Sequence, residues 1–130
     1  MTNRDIYSTA LGLLAQNIDG EENGDLEDRA PYILASFCSE VFEIDRLARR
    51  LLDLSSGSAT EFSRTFLPLD GEFPLLERFA SAAAKYLAAM LIIDEDSELS
   101  DKLYDMYCDS MATLQSQLPS VIEKIVNKYI

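Results

Sequence analysis

Histidine is absent from this sequence of 130 residues. Its absence excludes Ser-His and Cys-His nucleophile pairs and every imidazole metal site. The two cysteines, Cys38 and Cys108, fall within apolar helical patterns and have no basic neighbour in their local sequence. A thiolate nucleophile is therefore unsupported, and in a reducing cytosol we expect both thiols to stay free.

Glycine-rich phosphate loops and long apolar runs are also missing. None of the five glycines precedes a Lys-Ser or Lys-Thr pair, so a P-loop is excluded. The longest apolar run, residues 86–93, has eight residues, whereas crossing a bilayer takes about 20. The start of the chain lacks the basic residues and apolar block of a secretory signal. We therefore expect a cytoplasmic protein without a membrane partner.

Basic residues are scarce, with 11 Lys and Arg against 23 Asp and Glu, and the formal net charge is −12. Such a balance argues against nucleic acid as a bound ligand, because backbone recognition needs clustered Lys and Arg. The one basic cluster comprises Arg46, Arg49 and Arg50. It could stabilise the carboxyl end of a helix, or it could contact a partner.

The remaining sequence has a helical period in its apolar residues. A capping box at Thr2 and Asp5 predicts a first helix that ends near Asn17. A second, long helix is predicted over residues 26–54, with Pro31 in or near its first turn.

A helical hairpin within residues 69–118 is the centre of the predicted fold. Its first arm, residues 71–93, is rich in alanine and should begin with Asp70 as cap and Pro74 in the first turn. Its second arm, residues 97–118, should be capped by Asp96 or Ser97. The break between the arms is so short that we expect antiparallel neighbours.

Two further segments complete the chain. We expect residues 55–70 to form a flexible linker arm. Its Phe62, Phe66 and Leu67 are exposed unless they dock on the helices or on another subunit. A short strand over residues 62–67 is weakly indicated. Residues 119–130 predict a short amphipathic helix that needs a surface to lie against. The predicted fold is a single all-α domain over residues 1–130, an antiparallel bundle of four main helices plus this C-terminal helix.

Two acidic patterns suggest metal sites. Residues 19–30 follow the calcium-loop template in part, but Ala30 stands where the template needs a bidentate Glu. Two acidic pairs, Glu40 with Glu43 and Glu98 with Asp101, could hold Mg²⁺ on facing helices. This layout distantly resembles the all-helical nucleoside triphosphate pyrophosphohydrolases, although their acidic pairs lie much closer together in sequence than the 54 residues that intervene here.

Several short phrases, in order, resemble the phage head-tail connector (adaptor) proteins. They are Ile6-Tyr7-Ser8-Thr9-Ala10-Leu11, Asp28-Arg29-Ala30-Pro31 before a long helix, Leu67-Pro68-Leu69-Asp70-Gly71-Glu72, the alanine-rich helix ending at residues 86–93, and Leu103-Tyr104-Asp105-Met106-Tyr107. The resemblance covers most of residues 5–115 and includes no catalytic signature. Residues 119–130 have no counterpart in it.

The resemblance implies a structural protein without catalysis or cofactor. It would form a homo-oligomeric ring that joins the portal to the tail and neck proteins, first in the host cytoplasm and then in the virion. DNA would pass through the ring without specific binding. The candidate interface residues are Arg46, Arg49, Arg50, Phe62, Phe66, Leu67, Ile125 and Tyr129. A helical protein-interaction adaptor of unrelated role and the Mg²⁺-dependent hydrolase are the alternatives.

Overall fold

The computed structural model describes residues 1–14, 23–54 and 61–118. The described residues form four α-helices and one 3-10 turn: α1 Asn3–Leu14, α2 Asn23–Leu51, the turn Glu77–Phe79, α3 Ala80–Ile92 and α4 Ser97–Ser116. An isolated bridge joins Thr2 to Glu72, and these ranges contain no β-strand. The predicted all-α class is confirmed for this part of the chain, and the weakly indicated strand over residues 62–67 is wrong.

Helix α3 is the central element, because it contacts α1, α2 and α4. Its alanines are among the most buried residues of the protein, and Ala82, Ala83, Ala88 and Ala89 are each 0% exposed. Small side chains let neighbouring backbones approach closely while they keep the helix propensity high. The alanine-rich stretch therefore lies at the centre of the core.

Two predicted helix caps are present. At α1 the backbone N of Thr2 donates to Asp5 Oδ2 at 2.9 Å, and the backbone N of Asp5 donates to Thr2 Oγ1 at 3.3 Å. At α4 the backbone N of Leu99 donates to Asp96 Oδ1 at 3.0 Å. Each cap satisfies amides that the helix itself leaves without partners.

The start of α3 differs from the prediction. Residues 71–76 are not helical, and regular turns begin only at Glu77, so the predicted roles of Asp70 as cap and Pro74 in the first turn are wrong. The N-terminus binds this segment instead: Asn3 N donates to Gly71 O and Phe73 N donates to Met1 O, both at 2.9 Å. These long-range backbone bonds compete successfully with a local helix.

The start of α2 also differs. The helix begins at Asn23, so Pro31 is its ninth residue and not part of its first turn. A proline at this position removes one backbone donor. The helix nevertheless extends past it, because Leu26 and Ala30 before the proline and Leu34 after it are all buried against the core. The burial of this face outweighs the lost hydrogen bond.

Candidate interaction surfaces

The end of the predicted linker packs against the helices. Leu67 is 0% exposed and Leu69 is 6% exposed, and both belong to the core. The backbone N of Leu67 donates to the carbonyl O of Pro31 at 3.1 Å, which fixes the segment to α2. Leu67, a candidate interface residue, is therefore inside the monomer and not at its surface. Residues 55–60 of the linker lie outside the described residues.

An aromatic patch remains at the surface where this segment crosses α2. It comprises Tyr32, Phe42, Phe62 and Phe66. The rings of Tyr32 and Phe66 meet edge to face with centroids 5.0 Å apart, although these side chains are 60% and 43% exposed. The half-buried ring of Phe62 lies 6.1 Å from that of Phe42. Exposed aromatic side chains that already hold one another in place are typical of protein-binding surfaces.

Only part of the arginine cluster is available to a partner. Arg49 Nε donates to Asp45 Oδ2 at 2.8 Å, and Arg49 Nη2 donates to the carbonyl O of Pro74 at 3.1 Å. Asp45 is 2% exposed, and its Oδ1 accepts from the backbone N of Leu76 at 2.8 Å. Arg49 and Asp45 thus join the end of α2 to the segment that precedes α3.

Arg46 and Arg50 belong to what we call the arginine end, together with Leu47, Leu52 and Leu54. The guanidinium carbon of Arg46 lies 5.7 Å from the centre of the Phe42 ring, and its buried Nε has no acceptor in the described part of the chain. Arg50 is exposed and forms no ion pair with a described residue. Leu52 and Leu54 are 45% and 48% exposed.

A cavity of about 470 Å³ lies on the same surface of α2 and is lined by Glu43, Ile44, Arg46, Leu47 and Arg50. Glu43 and the exposed Asp53 bring negative charge to this end, so its arginines are balanced by carboxylates overall. In a chain with a net charge of −12, such a surface is one that an acidic partner can approach without strong repulsion.

An acidic end surrounds the connection between α3 and α4. We define it by Ile93, Asp94, Glu95, Glu98 and Asp101. All five side chains are exposed, and Ile93 is 47% exposed. None of the four carboxylates forms an ion pair with a described residue.

A groove of about 420 Å³ runs between α3 and α4, with Arg78, Lys85, Met106 and Asp109 among its lining residues. Lys85 Nζ donates to Ser110 Oγ at 2.6 Å across the groove. This hydrogen bond joins the two helices. The groove is open, and none of its lining residues forms a salt bridge with a described residue.

The carboxylates that the hydrolase alternative would need for Mg²⁺ do not form a cluster among the described residues. Glu40, Glu43, Glu98 and Asp101 are all exposed. Residues 1–14, 23–54 and 61–118 contain no group of three or more carboxylates and thiols arranged to share a metal ion. The start of the calcium-like loop, residues 19–22, lies outside the described ranges, and its later Asp25 lies 3.8 Å from Arg29 in an ion pair.

The thiols are free, as predicted, and they differ in environment. Cys38 is buried and Cys108 is exposed. Burial raises the pKa of the Cys38 thiol to about 12, so this thiol is protonated at neutral pH and is a poor nucleophile.

Beside Cys38 in the core, Phe37 packs against Tyr86 and Tyr107 with ring centroids 5.7 and 6.0 Å away. Burial raises the pKa of Tyr107 to about 12.

Comparison with known proteins supplies no relative: no family model, no curated protein and no solved structure matches this chain. Across the described ranges, none of the helices combines the length and the apolar character that a membrane crossing needs. Ile125 and Tyr129, the last two candidate interface residues, lie outside the described part of the chain.

Proposed function

We propose that this protein is a non-enzymatic virion component of a phage or prophage, a head-tail connector (adaptor) that forms a ring joining the portal to the tail. The observation that carries the proposal is the exposure of large apolar side chains that lie near one another on the surface. Tyr32 and Phe66 form one such cluster, and Leu52 and Leu54 form another. Clustered apolar side chains that the monomer does not bury are suited to contacts with other subunits.

The proposal includes an antiparallel arrangement of the helices. Two contacts between α3 and α4 support it: Ser100 Oγ donates to the carbonyl O of Ala89 at 2.9 Å, and Lys85 meets Ser110 farther from the connection. Later residues of α4 thus meet earlier residues of α3, as in a hairpin. Rigid helices of this kind provide fixed surfaces for subunit contacts in a ring.

The charge of the chain is consistent with the proposed partners. A connector binds the portal and the tail or neck proteins, and DNA passes through it without being held. The net charge of −12 would repel the phosphates of a passing duplex and so oppose adhesion. The protein would act in the host cytoplasm during assembly and then at the head-tail junction of the virion.

Binding to the portal tests the proposal. The full chain is mixed with the purified portal ring and the tail proteins encoded in the same genome, and the products are examined by sedimentation and electron microscopy. We expect a ring of this chain on the portal. Tyr32→Ala with Phe66→Ala should weaken the assembly, whereas Tyr104→Ala, which removes another exposed aromatic side chain, should not.

Two other outcomes of these binding measurements would overturn the proposed function. If the portal and the tail proteins both fail to bind the chain, the connector function is wrong. If the same aromatic substitutions abolish binding to a protein that is no part of a virion, the chain is a helical interaction adaptor of another kind, because that alternative would use the same patch.

A further inference from the structure

The arginine end and the acidic end lie at opposite ends of the molecule. Near the start of α2, Arg29 Nη2 donates to the carbonyl O of Met90, which lies near the end of α3, at 3.4 Å. Near the end of α2, Arg49 contacts the carbonyl O of Pro74, before α3 begins. Helix α2 rises about 30 Å between these two arginines, at 1.5 Å per residue. The α3–α4 connection is therefore at the Arg29 side, and Arg46 and Arg50 are at the other.

Within one chain, the charges of the two ends are too far apart to pair with each other. Exposed charges interact weakly beyond the Debye length, which is about 8 Å at physiological ionic strength. The guanidinium groups of Arg46 and Arg50 have no carboxylate partner among the described residues, and the same is true of Asp94, Glu95, Glu98 and Asp101. Elsewhere on the surface, by contrast, Arg4 already binds both Glu27 and Asp70 at 3.2 Å.

Each end also combines its charges with exposed apolar side chains. Leu52 and Leu54 stand at the arginine end, and Ile93 stands at the acidic end. Apolar contacts surrounded by arginine-carboxylate pairs are a common composition of specific interfaces. Arginine suits this role because its planar group can bind a carboxylate through two hydrogen bonds.

We infer that the partner of the arginine end is the acidic end of a second copy of this chain. Leu52 and Leu54 would meet Ile93, while Arg46 and Arg50 would pair with the carboxylates of the neighbour. Because the two surfaces differ and lie at opposite ends, the contact is heterologous and repeats from one copy to the next. This inference rests on the proposed function, since it names the two faces through which copies of a connector would join.

A pair of complementary variants tests the assignment. The full chain with Arg46→Glu and Arg50→Glu has two acidic ends, and the full chain with Glu98→Arg and Asp101→Arg has two arginine-bearing ends. We expect each variant alone to self-associate at least tenfold more weakly than the wild type. An equimolar mixture should recover the association, because each variant then supplies the end that the other has lost. Sedimentation velocity at low ionic strength measures all four samples.

Matched controls separate these ends from charge in general. Arg64→Glu and Asp109→Arg reverse exposed charges away from the two ends, and both should associate as the wild type does. Circular dichroism of every variant checks that the helices are retained. Added salt should weaken the association of the wild type and of the mixture alike, because both depend on the same ion pairs.

Two results would overturn the inference, and both can be told apart from a failure of the proposed function. If the wild type self-associates and the Arg46→Glu, Arg50→Glu chain associates equally well, the faces are wrong but a ring through other faces stands. If neither the wild type nor the mixture self-associates, the head-to-tail contact does not exist. Binding to the portal, measured separately, decides the connector function in either case.

Discussion

Asp45 is a buried carboxylate that joins two segments distant in sequence. It lies on α2, is 2% exposed, and accepts from Arg49 Nε and from the backbone N of Leu76, both at 2.8 Å. The Leu76 amide precedes the turn that leads into α3, so Asp45 joins this segment to α2. A buried charge with two such donors is costly to disrupt, because the donors lose their acceptor without gaining water.

Asp45→Asn should lower the free energy of unfolding by about 1–3 kcal/mol, since it removes the charge but keeps one acceptor oxygen. Urea unfolding followed by circular dichroism measures the change. Asp53→Asn is the matched control, because Asp53 is exposed and has a φ of 60°, a conformation that Asn tolerates well. Equal stability of the two variants would contradict the proposed role of Asp45.

The buried Cys38 thiol makes the stability of the protein depend on pH in the alkaline range. Its folded pKa is raised from 9.0 to about 12 by burial, so the folded protein holds the proton more tightly than the unfolded chain does. This pKa difference stabilises the folded protein fully at pH values below the pKa of the unfolded chain. The stabilisation is lost as the pH rises toward the pKa of the folded protein. The free energy of unfolding should therefore fall between about pH 9 and pH 12.

Cys38→Ala should make this decline shallower, and Cys108→Ala, which removes an exposed thiol, should leave it unchanged. Denaturant unfolding at a series of alkaline pH values compares the three chains. Tyr107 is also buried, and its pKa is also raised to about 12. Part of the decline in the free energy of unfolding should therefore remain in every variant. A Cys38→Ala chain with the wild-type slope would show that this thiol is not protected from ionisation.

The segment before α3 shows which features of a helix residues close together in sequence cannot predict. The reciprocal cap of Thr2 and Asp5 and the cap of α4 by Asp96 involve residues three apart, so the sequence alone could predict them. The start of α3 could not be predicted in this way, because Asp45 of α2 binds the segment before it and other residues of that segment bind the N-terminus. The same holds for Pro31, which stays helical because the face around it is buried.

Leu67 and Phe66 are neighbours that test how this segment packs. Leu67→Ala should lower the free energy of unfolding by about 2–5 kcal/mol, the range for a fully buried leucine. Phe66→Ala should change it by less than about 1 kcal/mol, because the ring is partly in water. Urea unfolding of both variants measures the difference. A small effect of Leu67→Ala would mean that this segment contributes little to the core.

The candidate surfaces were only partly predictable. Arg46, Arg49 and Arg50 stand out in an acidic sequence, but only the fold shows that Arg49 is engaged with Asp45 and Pro74. Tyr32 carries no local signal of its exposure, since an aromatic residue in a helix is as often buried. Ile93 likewise carries no local signal of its exposure, and the structure places it in water just past the end of α3 at Ile92.

At the scale of the whole molecule, charge governs which partners the protein can have. With a net charge of −12, the chain should show no binding to duplex DNA even at an ionic strength of about 0.05 M, where phosphate contacts are strongest. Fluorescence anisotropy of a labelled duplex measures this, with a basic DNA-binding protein as positive control. Saturable binding that weakens with salt would contradict the prediction that this acidic chain does not bind DNA.

Local patterns were enough to predict the all-α class, the central position of the alanine-rich helix, and the local caps of α1 and α4. These features depend on apolar spacing, on side-chain size and on residues a few positions apart. The folded chain was needed to show where α2 and α3 begin, which arginine is structural, and which apolar side chains remain in water. Those outcomes depend on contacts between residues distant in sequence, such as Asp45 with Leu76 and Leu67 with Pro31, whose energies no local pattern contains.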